Sequence, residues 1–115
     1  MEKVIKPWGW YEDYERSNYS VIKKIHISPN QRFSLQQHKF RSELWYILEG
    51  SGVVIVGDYE RSVIPDDIIH VPKEAIHRFT AGEDGVSFIE FQRGSCYEDD
   101  ITRLEDDYNR VTDGL

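Results

Sequence analysis

Four side chains in this sequence have the types and the spacing to cage one divalent metal ion: Gln36, His38, Glu43 and His77. Gln36 and His38 lie in the run Ser34-Leu35-Gln36-Gln37-His38, which reads as a strand entering a polar turn over residues 39–42. Alternate residues of a strand share a face, so the two project together. Glu43 opens a second, apolar strand over residues 44–48 that ends at Glu49-Gly50, and a hairpin at the turn brings Glu43 back beside His38. His77 follows Val71-Pro72, where a later strand crosses the same face. Two imidazoles, a carboxylate and an amide oxygen make a mixed nitrogen and oxygen donor set. It suits zinc first, and also manganese, iron, cobalt or nickel. Taken singly, each residue reads as an ordinary hydrogen-bonded polar side chain; the joint spacing makes them a ligand set.

The elements that must position these residues are short and β-rich. From residue 20 to residue 92, runs of Val, Ile, Phe and Tyr are separated by Ser28-Pro29-Asn30, Gly57-Asp58, Pro65-Asp66-Asp67 and Gly82-Glu83-Asp84-Gly85. Strands at such intervals with Gly, Pro and Asp turns predict an all-β sandwich or barrel, and a jelly roll manages their exposed edges. After Gly94 the pattern changes. Ile101, Leu104 and Tyr108 recur at three- to four-residue spacing, which predicts one short C-terminal helix. The expected organisation is a single domain over residues 1–115: an N-terminal arm (1–19), the barrel (20–94) and an acidic segment (95–115). In the arm, Trp8, Trp10 and Tyr11 surround Gly9, an aromatic run that seals a core or a subunit interface, or stacks on a sugar ring.

Length and composition bound the function. A chain of 115 residues fits one domain with one core, and 13% aromatic with 39% hydrophobic residues marks a folded protein. No apolar run approaches the roughly 20 residues of a membrane helix, and the first residues carry no secretory signal pattern. One cysteine, Cys96, cannot make an internal disulfide, so a cytoplasmic protein is expected. The net charge of −7 disfavours nucleic acid as a partner. Residues 95–115 hold seven acids against two bases, which reads as a solvated surface segment and leaves the rest close to neutral. An anionic small molecule is compatible with the barrel. Exposed strand edges and the aromatic arm predict a homodimer.

The pattern Gln36-x-His38, Glu43, then Pro72 and His77 resembles the two motifs of the cupin superfamily, with Gln in place of the usual first His. The resemblance extends further. Lys6-Pro7-Trp8-Gly9-Trp10-Tyr11-Glu12 is similar to the segment opening the C-terminal domain of type II phosphomannose isomerases. Ser34-Leu35-Gln36-Gln37-His38 with Arg41-Ser42-Glu43 and Trp45 is similar to that family's metal-site motif. Ile89-Glu90-Phe91-Gln92, Gly94, Glu98-Asp99-Asp100-Ile101 and the run from Arg103 to Arg110 resemble its C-terminal signature. The family's bifunctional members carry a guanylyltransferase domain before this part, so only the isomerase-like half is implied here. The sequence departs from the family at Lys39, Phe40 and Leu44, where histidines are usual, and at Glu74 and Asn109, where Gly is usual. Leu44, next to the ligand Glu43, reads as a lost polar group beside the metal.

The resemblance implies a jelly-roll cupin that interconverts mannose 6-phosphate and fructose 6-phosphate through an enediol, in mannose activation for polysaccharide biosynthesis. A divalent ion held by one carboxylate and three neutral donors keeps about one positive charge, which stabilises negative charge building on substrate oxygen. Arg41 matches the family arginine and suits a phosphate. Lys23 shares strand parity with Ile25 and Ile27, which puts it at the barrel mouth or leaves it facing solvent. Glu90 and Gln92 share a face opposite Ile89 and Phe91; if that face is inward, Glu90 is a candidate proton-transfer base. Two other functions compete. One is a sugar or sugar-phosphate binder that has kept the barrel and lost the chemistry. The other is a small oxygenase using His38, His77 and Glu43 as a two-His-one-carboxylate iron site.

Overall fold

Strict alternation governs the strands that carry the site. In β3 (Ser20–Ile27), Val21, Lys23, Ile25 and Ile27 are buried while the residues between them are half-exposed or exposed. In the first half of β5 (Arg41–Val56), Arg41, Glu43, Trp45 and Ile47 turn inward. The computed structural model describes residues 2–97 and 99–108. Within them the other strands are β1 (Lys3–Lys6), β2 (Gly9–Arg16), β4 (Leu35–Gln37), β6 (Tyr59–Val63), β7 (Ile68–Val71), β8 (His77–Gly94) and β9 (Thr102–Glu105). All pairings are antiparallel, and the nine described strands join one curled sheet. No helix long and apolar enough to cross a membrane occurs among the described residues.

The long strands β5 and β8 form the spine. They pair twice, Arg41 to Gly50 against Gly94 to Val86 and Gly52 to Val56 against Ala81 to His77, with register shifts at Ile47/Glu49 and Gly50/Gly52. Bulges bend strands and increase their twist, so each strand contributes to two walls of the barrel. Gly50 sits at this bend with φ 79°, and a Cβ there would lie 2.0 Å from the carbonyl oxygen of Gly85. Only glycine fits. The apolar core is lined by Ile27, Ile47, Val54, Val63, Ile69, Val71, Phe79 and Phe88, with Trp45 at its edge. Of the expected arm, β1 and β2 form a hairpin laid on β3 (Tyr11↔Ile25, Asp13↔Lys23). Trp8 is buried against Phe33, and Trp10 stacks on His26.

Two sequence expectations change. The turn after His38 is no hairpin: β4 pairs with β8 (Gln36↔His77) and β9, and not with β5. It is a corner that carries the chain between walls. The expected C-terminal helix over residues 101–108 is absent from the described residues. Thr102–Glu105 is the extended strand β9, laddered on β4 through Leu35↔Glu105, Gln36↔Arg103 and Gln37↔Thr102. The open edge of β4 offers backbone partners, and a one-turn helix could not satisfy them. Asn109 lies outside the described residues.

Candidate metal centre

His38 follows β4, Glu43 lies early in β5, and His77 opens β8, yet one ligating atom from each falls within 4.8 Å of the others. All three side chains are buried. Hydrogen bonds fix both imidazoles. His38 Nδ1 donates to the carbonyl of Asp100 (2.6 Å), and His77 Nδ1 to that of Ala75 (2.9 Å). Each Nε2 therefore keeps its lone pair and faces Glu43, His38 at 3.4 Å and His77 at 3.9 Å. Gln36 stands directly across the ladder from His77. Its amide nitrogen donates to Ser34 Oγ (3.1 Å), so the amide oxygen is the atom it could offer to an ion. His38, Glu43 and His77, with acceptor-bonded histidines, could hold a metal ion through mixed nitrogen and oxygen donors.

Burial, then the Arg41 and His77 charges, pulls His38 down to about 4 against the opposing Glu43, and burial also lowers His77. Both imidazoles are neutral near pH 7, as ligation requires. Burial alone would raise Glu43, but His38, Arg41 and His77 outweigh it and hold the carboxyl well below the usual range. Arg41 is the member of that trio that stays charged. Its Nε donates to Glu43 Oε2 (3.0 Å), and Nη2 approaches His38 Nε2 (3.2 Å). The guanidinium thus faces the donor atoms themselves, and a bound ion would take over those contacts.

A second carboxylate completes the arrangement. Glu90 and Gln92 are the inward pair of β8, while Phe91 is exposed. Trp45 Nε1 lies 3.1 Å from both Glu43 Oε1 and Glu90 Oε1, and Gln92 Nε2 donates to Glu90 Oε2 (2.7 Å). Burial and the neighbouring Glu43 charge push Glu90 up to about 8, with Lys23 and Arg41 pulling the other way. Burial and charge thus push the two carboxyls apart, Glu43 toward the ionised form and Glu90 toward the protonated one. Two carboxyls with separated ionisation suit paired roles in acid–base chemistry. Lys23 is buried opposite Glu90 on β3, with Nζ 4.0 Å from the Tyr11 ring centre.

These groups face a cleft of about 190 Å³. Gln36, His38, Arg41, Glu43, Lys23 and Glu90 all line it, with His77 just beneath. So do Lys6 and Arg103, which the sequence reading quoted in motifs without assigning them to the site. Arg103 is the cross-strand neighbour of Gln36, so His77, Gln36 and Arg103 form a row over β8, β4 and β9. Strand parity already put Gln92 on the face of Glu90; no local signal points to Lys6 or Arg103. Three of the family departures fall elsewhere. Leu44 alternates with Glu43 and faces outward near Phe91 and His70, while Lys39 and Phe40 sit on the outer corner. The reading of Leu44 as a group beside the metal is corrected by its parity. Glu74 takes the left-handed φ of 69° that a glycine would favour, in a turn whose amide bonds the His38 carbonyl.

A curled antiparallel barrel with such donors on its inner wall is a cupin. The fold is shared with KdgF from Halomonas sp. (TM-score 0.76, 15% identity, covering 86% of this chain and 92% of that one). It is also shared with oxalate decarboxylase from Bacillus subtilis (TM-score 0.80, 19% identity, 90% of this chain and 30% of that one). Within that class, the chain belongs to the family described as Mannose-6-phosphate isomerase C-terminal, whose model matches residues 1–106. It is 34% identical over 113 residues to the alginate biosynthesis protein AlgA of Pseudomonas aeruginosa, covering 96% of this chain and 24% of that protein. It is 31% identical over 111 residues to the mannose-1-phosphate guanylyltransferase ManC of Salmonella typhimurium, covering 95% of this chain and 23% of that protein. The chain spans about a quarter of the length of these relatives.

Proposed function

We propose that this chain is a metal-dependent aldose–ketose isomerase that interconverts mannose 6-phosphate and fructose 6-phosphate in the cytoplasm, feeding mannose activation for polysaccharide biosynthesis. The observation that carries the reading is the pair of buried carboxylates in one cleft, Glu43 among metal-type donors and Glu90 joined to it through the Trp45 indole N–H. Gln36, His38, Glu43 and His77 would hold a divalent transition ion, zinc first. When bound, the ion supplies Lewis-acid stabilisation to a sugar oxygen that gains negative charge. Glu90 would take the proton from C2 of the aldose and return it to C1, with Trp45 and Gln92 holding its carboxyl. The hydroxyl proton passes from O2 to O1, so nothing else is consumed. Arg41 was the expected phosphate contact. It lines the cleft with Lys6, Lys23 and Arg103, and these cations form the positive lining for a phosphate once an ion takes over the Arg41 contacts to Glu43 and His38.

The binder reading rested on Phe40 and Leu44, and neither residue lines the cleft. Gln36 beside His77 gives a fourth donor, which weighs against a three-ligand oxygenase site. A second copy would pack on the outer sheet face, where Phe91 and Ile68 are exposed beside Leu44; light scattering of the purified chain tests this homodimer. For the activity, protein purified anaerobically is analysed for metal and incubated with either sugar phosphate in deuterium oxide. About one ion per chain and deuterium at C1 or C2 are expected, and both are lost in His77→Ala. Metal-loaded protein that binds a sugar phosphate without exchanging deuterium returns the chain to the binder class.

A further inference from the structure

One residue of the acidic C-terminal segment, Asp100, reaches a proposed metal ligand. Of the segment's other acids, Asp107 pairs with Arg32 through two hydrogen bonds of 2.8 Å, and Glu105 accepts from Arg78. Asp100 is different, because it touches a proposed ligand. Its carboxylate accepts from the backbone amides of Lys39 (Oδ1, 3.0 Å) and Phe40 (Oδ2, 2.9 Å), at the corner just after His38. Its own carbonyl accepts the Nδ1 proton of His38 at 2.6 Å. The same short stretch is tied from the other side, where the Glu74 amide donates to the His38 carbonyl and the Ser95 amide to the Phe40 carbonyl.

From these contacts we infer that Asp100 is a positioning residue of the metal centre. Its side chain clamps the corner so that its carbonyl locks His38 in the Nδ1–H tautomer with Nε2 facing the cleft. A free imidazole exchanges between two tautomers, and only one of them leaves Nε2 as a lone pair toward Glu43. An acceptor on the far nitrogen settles the choice and orients the ring. A backbone carbonyl can do this only if its own segment is fixed. At this corner the fixing groups are the two carboxylate oxygens of Asp100, one for each amide. Asn offers a single acceptor oxygen and would hold one amide only; Ala would hold neither.

The inference leans on the proposed ligand set for metal affinity and on geometry alone for the tautomer, so two measurements separate them. The first is long-range nitrogen–proton NMR of the histidines at pH 7 in chelator-treated protein. Wild type and an Asp99→Ala control should show His38 wholly as Nδ1–H. Asp100→Ala should show a mixture or the opposite form, and Asp100→Asn should fall between. The second is competitive zinc titration. Asp100→Ala should bind about 10–100-fold more weakly, the range for loss of a partner behind a ligating histidine, while Asp99→Ala stays within twofold of wild type. A weaker fold alone would lower the melting temperature and leave the tautomer unchanged well below it. If Asp100→Ala does not fold, Asp100→Asn against Asp99→Ala decides. Should wild type take up no zinc, the ligand reading falls and the tautomer result still decides the role of Asp100. An unchanged His38 tautomer in the folded variant overturns the inference, whatever happens to affinity.

Discussion

The two ends of the barrel interior are built from the same strands and are equally buried, yet they do opposite things. Toward one end, β3, β5 and β8 turn inward Ile25 and Ile27, Ile47, and Val86 and Phe88; toward the other, Lys23, Arg41 and Glu43, and Glu90 and Gln92. Trp45 is the boundary. Its ring stacks on Phe79 at 5.5 Å and meets His77 at 5.7 Å, and its indole N–H faces the carboxylates. Alternation decides only which side chains go in. The apolar end gains free energy from burial, whereas the polar end holds charges whose desolvation their partners barely offset. Stability should therefore be sensitive at one end and activity at the other.

The harshest test of that contrast is Phe79→Ala. Phe79 is fully buried and stacked on Phe88 at 4.8 Å, so truncation should cost about 3–5 kcal/mol in urea or thermal unfolding. Glu90→Gln, at the polar end, should leave unfolding free energy within about 1 kcal/mol of wild type or raise it. Isomerisation should meanwhile fall about 10²–10⁴-fold. A loss of stability as large as that of Phe79→Ala would break the comparison.

Acidity sharpens it. Glu90, raised from 4.5 to about 8, binds its proton more tightly in the fold, so stability declines as pH rises through that interval. His38, lowered from 6.5 to about 4, works the other way: its contribution is complete above 6.5 and is lost as pH falls toward 4. Of these two groups, Glu90 alone contributes a slope between pH 6.5 and 8. Urea midpoints of chelator-treated protein should fall across that window in wild type and stay level in Glu90→Gln. The smallest expected effect lies outside both ends. Glu74→Gly relieves a left-handed φ and should stabilise by about 1 kcal/mol, read as a rise in melting temperature with little change in rate.

Much of the site was legible because it is carried by period-two parity and by local spacing. Parity with Ile25 and Ile27 offered the barrel interior as one of two places for Lys23, which is buried there, and His38, Glu43 and His77 cluster from three separate stretches with Gln36 across the ladder from His77. Glu90 stayed undecided because the outer face of β8 is apolar too, with Ile89 and Phe91 imitating a core stripe. Leu44 was misplaced when closeness in sequence to Glu43 was allowed to override the parity that separates them. The helix expected at Ile101, Leu104 and Tyr108 failed because a periodic apolar pattern says nothing about an open strand edge waiting elsewhere. The acidic tail read as solvated surface, yet its acids meet Arg32 and Arg78, whose positions only the folded chain reveals.

The place of β4 between β8 and β9 also sets an order of events during synthesis. The three residues of β4 are made early, but their ladder partners begin at His77 and Thr102. At about 5–20 residues per second, a ribosome finishes the spine of the molecule at Gly94 before it delivers the segment that encloses β4. A nascent chain therefore makes all four proposed donors before the segment that fixes His38. A released chain truncated just after residue 94 would keep both strands of the β5–β8 spine while His38 lacked the Asp100 carbonyl, so metal capture at its unsupported ligands should be weak.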